Sequence, residues 1–393
     1  MSKIEWLLTK RAQECAAIVR EQLLANENIL RILKRLRKGI SPAEAAMAVE
    51  LGTLQLRART KFSRAEKMLF TKTSLEQASS ERLALYKASR FPRDQKIADI
   101  CCGIGGDSIG IGRSHELAAV DQQNLMCKMA EHNLTVYEIP KFKVVNQSFA
   151  DFDIADYDCL HFDPDRRVAG RTVLPNDFSP SFDEVLSGIG RRLTAIKVAP
   201  ASNLPHDLRE MVHREWVGER REAKQQLIWL NHPEYPRGSA TCTVITGRGI
   251  ERLTFANDAQ FRPAPTADQL GQYVYEPHAA VIAARMISGL ARDYGLHRVG
   301  QGAAYLTGDR LINSSLLATF RVEVAAPLYL EKIAELVRQN DYGEIEWKKR
   351  AVEQETYEQL KRIRARGGRK VTAIVTPTPR GPAVIFCHRL PAS

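Results

Sequence analysis

The chain has 393 residues, of which 44% are hydrophobic and 26% charged, and carries a formal net charge of +11. This length allows two or three domains, each with its own core, and no stretch reaches the roughly 18 consecutive apolar residues of a membrane span, so no membrane helix is expected. An excess of Lys and Arg is what a protein meeting nucleic acid or another polyanion carries, although many bacterial enzymes are mildly basic.

The opening MSKIEWLLTKRAQE is interrupted by Glu5 and Lys10. It does not read as a secretory signal, and a cytoplasmic protein is expected. Residues 1–90 have apolar positions at helical spacing, which predicts an all-helical N-terminal domain. Ser41, Pro42 and Glu44 supply an N-cap, a first-turn proline and a capping-box partner. A second box, Ser74 with Gln77, is expected to open the helix SLEQASSERLALYKASRF.

From Lys96 the pattern changes to short apolar runs separated by turns and helical stretches: KIADICC, ELAAVDQ, KFKVVNQ, YDCLHFD, LTAIKVAP, REWVGER and TCTVITG. Seven such runs predict an α/β, Rossmann-like domain over 91–260, with a mostly parallel sheet covered by helices. The last two are expected to form an antiparallel pair at the sheet edge, because the segment between them leaves little room for a helix. FRPAPTADQ, Phe261 to Gln269, reads as a linker. Residues 270–393 mix a helix-like PHAAVIAARMISGLARDYG, a strand-like LATFRVEVAAP, a helix LYLEKIAELVRQ and a final hairpin, which predicts a small α+β domain. Within it, Trp347 to Lys370 holds nine Lys or Arg against three Glu. Both a solvated helix and a nucleic-acid-facing surface fit that run.

The most informative stretch is IADICCGIGGDSIGIG, Ile97 to Gly112. A strand ending near Asp99 followed by Gly103 and Gly105 lets the backbone approach a ligand closely, since glycine has no Cβ. A dinucleotide fingerprint requires a third glycine where Ser108 stands, so that reading fails at one of its three positions. S-adenosylmethionine has no pyrophosphate to cradle. Its loop needs close approach to the amino-acid part and a carboxylate near the ammonium, for which Asp99 is the candidate. Asp121 ends the next strand, with Gln122 beside it, and can accept both ribose hydroxyls. The seven cysteines, Cys15, Cys101, Cys102, Cys127, Cys159, Cys242 and Cys387, include no CxxC pair, so neither a disulfide framework nor a zinc site is expected. Cys101 and Cys102 read as small hydrophobes of the turn.

The order of this glycine turn, an acidic strand end and the Asp163-Pro164 loop resembles the class I S-adenosylmethionine-dependent methyltransferases. The run DICCGIGGDSI is similar to the trimethylguanosine-synthase branch, and the whole layout resembles bacterial methyltransferases with a C-terminal THUMP-like domain. The resemblance implies a seven-stranded methyltransferase sheet, S-adenosylmethionine as cofactor, and an RNA substrate, transfer or ribosomal. It implies cofactor contacts from Asp99, Cys101, Gly103, Gly105, Asp121, Gln122, Gln147, Ser148, Phe149 and Thr73, the last on a segment that closes over the cofactor in that group. It also implies acceptor-side roles for Asp163, Pro164, Asp165 and Arg166.

Two departures stand out. Relatives acting on amines carry a second proline and an aromatic where this chain has Asp165 and Arg166, so the usual stacking platform is absent. Arg166 and Arg167 fit either an anion grip on the substrate or ion pairs that hold the loop. In the adenine turn, Asn146, Gln147 and Ser148 replace an acid. Lys197 falls in a central strand and would be costly to bury unpaired. Three readings result: an RNA methyltransferase, an RNA-binding protein with a degenerate core, and a methyltransferase of an anionic small molecule.

Overall fold

The computed structural model describes residues 3–164, 180–256, 263–300 and 302–391. Two compact units are present: Met1–Val198 with Ser202–Leu204 and Ile228–Pro233, and Ala199–Ala201 with Pro205–Leu227 and Glu234–Ser393. Among the described residues no helix is long and apolar enough to cross a membrane.

The first unit begins with α1 (Lys3–Leu7), α2 (Lys10–Leu24), α3 (Ile29–Leu36), α4 (Pro42–Ala58), α5 (Lys72–Gln77) and α6 (Glu81–Ala88). The capping box at Ser41 forms as expected, with Ser41 Oγ accepting from Glu44 N and the Glu44 carboxylate accepting from Ser41 N at 2.8 Å. The box expected at Ser74 with Gln77 does not. Thr71 caps α5 with Ser74 as its partner, the chain leaves the helix at Ala78, and Ser80 caps α6. The break is stabilised by Lys61, whose ammonium donates to the carbonyls of Leu75 at 2.7 Å and Ala78 at 2.9 Å. Those acceptors have no intrahelical donor once the helix ends.

The α/β part follows as β1 (Lys96–Ile100), α7 (Gly106–Gly112), β2 (Glu116–Asp121), α8 (Asn124–Val136), β3 (Phe142–Asn146), β4 (Cys159–Phe162), α9 (Phe182–Gly188) and β5 (Leu193–Val198). The strands run parallel in the order β3-β2-β1-β4-β5. β4 and β5 are buried at every position, as strands covered on both faces must be. The chain works outward from β1 to β3 and returns on the other side at β4. The carboxyl ends of β1 and β4 therefore flank the switch point where open α/β sheets bind ligands. Helices α6 and α7 touch backbone to backbone: a Cβ on Gly110 would lie 2.3 Å from the carbonyl carbon of Ala84.

In the second unit lie α10 (His206–Met211), β6 (His213–Glu219), most of β7 (Glu222–Leu230), β8 (Ala240–Thr246) and β9 (Gly249–Phe255). Here the expected antiparallel edge pair is corrected. β6 and β8 pair in parallel, because β7 occupies the intervening segment and returns the chain to the starting side, and it is β9 that lies antiparallel to β8. β7 and β9 are additions to the seven strands read from the sequence.

The rest of this unit comprises β10 (Tyr273–Pro277), α11 (Ala279–Ala283), α12 (Ile287–Tyr294), β11 (His297–Arg298), β12 (Leu306–Gly308), β13 (Leu317–Pro327), α13 (Leu330–Gln339), β14 (Tyr342–Lys349), α14 (Gln354–Lys361), β15 (Arg369–Thr378) and β16 (Gly381–Arg389). These strands form a sheet in the order β11-β12-β10-β13-β16-β15-β14, with β15 and β16 as the expected antiparallel hairpin. The single helix expected after Pro277 is two, divided where Arg285 takes a φ of 57°.

Candidate active site

The turn after β1 is built from three left-handed residues, Cys101 (φ 59°), Gly103 (φ 55°) and Gly105 (φ 81°). Glycine adopts this conformation freely, whereas at Cys101 it costs about 1 kcal/mol. The turn is held by Cys102 N donating to Val120 O at 3.0 Å and Gly105 N donating to Cys102 O at 2.9 Å. Gly105 is also the N-cap of α7. Cys102 is buried, and burial pushes its thiol well above the ordinary range. All seven cysteines are free.

Asp121, at the end of β2, is the anchor of the site. Its Oδ2 accepts from Gly103 N at 3.0 Å and its Oδ1 from Gln123 N at 2.8 Å. Two backbone donors orient the carboxylate, one from each strand-end turn. Beside it opens a cavity of about 450 Å³ lined by Ile100, Cys101, Asp121, Gln122, Gln147, Ser148 and Phe149. That volume falls within the roughly 300–1,000 Å³ of small-molecule sites. Phe149 packs edge-on against Phe162 with ring centroids 5.0 Å apart. Ser148 Oγ donates to Asp151 at 2.6 Å, while Asn146 Nδ2 is turned onto Asp121 O at 2.9 Å. The far wall comes from Pro180 and from Glu184, Ser187 and Gly188 of α9, none of which was singled out in the sequence.

The other sequence candidates are placed elsewhere. Asp99 is fully buried, bonded to Ser108 Oγ and, at 2.7 Å, to His161 Nδ1. It does not line the cavity. Thr73 is exposed in the first turn of α5 and is not a lining residue either. Gly103 and Gly105 act through backbone geometry. Asp163 follows β4 at its carboxyl end, with its N–H donating to Ile100 O at 3.1 Å and Pro164 buried after it. Asp165, Arg166 and Arg167 lie outside the described residues.

Lys197 of β5 resolves the cost flagged in the sequence. Its ammonium meets Asp163 Oδ2 at 2.6 Å, donates to Gln77 O at 3.2 Å and lies 3.9 Å from Asp107 Oδ2. Behind it, Asp107 pairs with the fully buried Lys87 of α6 and accepts from Ser79 Oγ at 3.1 Å, and His161 Nε2 lies 4.0 Å away. The side chains of Lys87, Asp107, Lys197 and His161 are all 6% exposed or less. Burial pushes the Asp107 carboxyl up, but the Lys87 and Lys197 ammonium groups together with His161 overcome it and hold Asp107 well below the ordinary carboxylate range. The result is a buried charge array that ties α6, α7, β4 and β5 together and ends at Asp163. The sequence reading missed Lys87, Asp107 and His161. Each is an ionisable residue inside an apolar run or beside a glycine turn, which is the available signal.

With this geometry in view, the comparisons with known proteins fall on the same region. The family model for RNA cap guanine-N2 methyltransferases matches residues 94–155, the strands and turns that build the cavity. An uncharacterized S-adenosylmethionine-dependent methyltransferase of Mycobacterium tuberculosis, found in two strains, is 24% identical over 338 residues, covering 78% of this chain and 84% of its own. A crystal structure from Porphyromonas gingivalis W83, described as a methyltransferase, superposes with a TM-score of 0.76 at 20% identity, covering 96% of this chain and 98% of that one.

The chain is an S-adenosylmethionine-dependent methyltransferase. Its fold is of class I, with a second sheet-bearing unit at the C-terminal end. The cavity of this methyltransferase presents the fixed Asp121 carboxylate, the amides of Gln122 and Gln147, the Ser148 hydroxyl and the Phe149 ring.

Proposed function

We propose that this methyltransferase acts on RNA and that Asp163, paired with Lys197, orients the accepting atom. The observation that carries the site assignment is the Asp121 carboxylate, fixed by Gly103 and Gln123 N–H groups at the mouth of a cavity at the switch point of the sheet. The cofactor supplies an electrophilic methyl group on a sulfonium. What remains for the protein is alignment and the disposal of one proton.

On this reading Gly103 and Gly105 let the backbone approach the cofactor, Asp121 and Gln122 hold the ribose, and Gln147, Ser148 and Phe149 receive the adenine. Asp99 acts beneath the turn, holding Ser108 of α7 and His161 of β4 in place. At the acceptor side, the 2.6 Å contact with Lys197 fixes the Asp163 carboxylate at the end of β4. A carboxylate held there accepts a hydrogen bond from an N–H acceptor group and aims its lone pair at the methyl donor. The RNA substrate is supported by the family description matched over residues 94–155 and by the net charge of +11.

The test is incubation of wild type and Asp163→Asn with labelled cofactor and total RNA from a strain lacking the protein. Wild type should label a discrete RNA fraction. Asp163→Asn should lose on the order of 10²-fold or more in rate, while its cofactor affinity by calorimetry stays within about threefold, roughly 0.7 kcal/mol. Cofactor binding without label in any RNA would overturn the RNA assignment.

A further inference from the structure

The second unit contains a cavity of about 440 Å³ bordered by Arg338, Asp341, Tyr342, Arg364, Arg366 and Gly367. Arg338 sits in the last turn of α13, and Arg364 and Arg366 lie on the segment between α14 and β15. All three arginines are exposed, and among the described residues no ion pair or side-chain hydrogen bond engages them. Arg369 nearby is different, since it is paired with Glu323 at 2.8 Å.

The segment carrying Arg364 and Arg366 is held in position by its backbone. Gly367 N donates to Tyr342 O at 3.1 Å, Arg369 N to Asp341 O at 2.9 Å, and Gly368 N to the Asp341 carboxylate at 3.2 Å. The segment lies so close to β14 that a Cβ on Gly343 would fall 1.7 Å from Gly367 O. The Asp341 carboxylate, already accepting from Gly368, thus also serves to fasten the segment. Three guanidinium groups converging on one concavity repel one another, and each presents a planar fork of donors suited to phosphate oxygens.

We propose that this arginine cavity binds phosphate groups of the RNA backbone, a docking site apart from the one where methyl transfer takes place. The inference rests on the RNA reading above. A free phosphate compound has the same chemistry as a phosphodiester. The phosphodiester is favoured because the arginines are exposed and the equally exposed Arg362 extends the cationic segment beyond the cavity, whereas Lys361 and Lys370 are paired with Glu358 at 3.6 Å and Glu344 at 2.5 Å.

The test compares full-length wild type with the triple variant Arg338→Gln/Arg364→Gln/Arg366→Gln for binding of bulk transfer RNA and of poly(U) across a salt series. Sodium tripolyphosphate serves as the free-phosphate probe, and cofactor affinity and thermal unfolding as folding controls. For single strands each phosphate contact contributes about 0.7 to the slope of log K against log salt. The variant should therefore lose about two units of slope and on the order of tenfold or more in RNA affinity at moderate salt, with cofactor affinity and unfolding unchanged. If the variant binds both RNAs with wild-type affinity and slope while wild type still labels RNA, the cavity assignment is overturned and the RNA reading stands. If wild type neither binds nor labels any RNA, the RNA reading itself has failed and the cavity assignment with it. Tight arginine-dependent binding of tripolyphosphate with no loss of RNA binding in the variant would assign the cavity to a free anion and overturn the proposal.

Discussion

Lys87→Met tests the buried charge array directly. Lys87 is fully buried, its ammonium pairs with Asp107, and it donates to Ser79 Oγ at 3.1 Å. Methionine is one atom shorter, keeps most of the apolar stem and removes the charge, leaving Asp107 with Ser79 Oγ at 3.1 Å and with Lys197 and His161 at 3.9 and 4.0 Å. Removing one partner of a buried pair costs about 3–5 kcal/mol. Because the Lys197 ammonium stays within reach, the lower end is expected. At roughly 2–4 °C per kcal/mol for a unit of this size, a loss near 3 kcal/mol lowers the melting temperature by about 6–12 °C.

The pH dependence provides a second readout. The Asp107 carboxyl is depressed in the folded protein, whereas in the unfolded chain an aspartate titrates near about 3.9. Its contribution to stability is therefore complete above the unfolded value and is lost as pH falls through the folded one. Without Lys87 the depression shrinks, so the acid loss of stability, which still begins near the unfolded value, is smaller and is complete at a higher pH. Adding Asp107→Asn to Lys87→Met removes the uncompensated charge and should recover part of the loss, a coupling that additive sites would not show. Scanning calorimetry between about pH 3 and 8 covers the window on both sides of the unfolded value. A single variant melting within about 2 °C of wild type, less than the shift from 1 kcal/mol, with the same acid limb, would refute the array as a stabilising element.

Two further predictions concern the turn and its support. If Asp121 holds the ribose as proposed, Asp121→Ala should weaken cofactor binding by about 1.5–3 kcal/mol, roughly 10- to 150-fold in Kd by calorimetry; unchanged affinity would place the cofactor elsewhere. Gly110→Ala places a Cβ 2.3 Å from the backbone of Ala84, and overpacking there should cost about 1–3 kcal/mol. A lowered melting temperature with unchanged cofactor affinity per folded molecule is the expected result, and an unchanged melting temperature would show that α6 and α7 separate without penalty.

Local chemistry explains why so much of the α/β frame was legible in the sequence. Capping boxes such as Ser41 with Glu44 act over three residues, a fully apolar run of strand length marks a covered strand, and left-handed positions draw glycine to Gly103 and Gly105. Asp121 could be identified because a parallel sheet brings consecutive strand ends to one edge, so an acid ending β2 falls beside the turn ending β1. The same short-range logic failed at Ser74, where the competing cap at Thr71 and the distant Lys61 decided the helix boundary.

What the sequence by itself determined is therefore the local frame of the first unit: an α/β core, a glycine turn and the carboxylate that faces it. Only the tertiary structure decided that Asp99 is enclosed by Ser108 and His161 and does not face the cavity, that Lys197 meets Asp163, that α9 supplies the far wall, and that three arginines of the second unit share one concavity. The physical reason is range. A cap or a left-handed turn is specified by neighbours along the chain, whereas the ionic partners Lys87, Asp107, Asp163 and Lys197 lie on separate elements. A charge far along the chain finds its partner, and so its role, only once packing has excluded water between them.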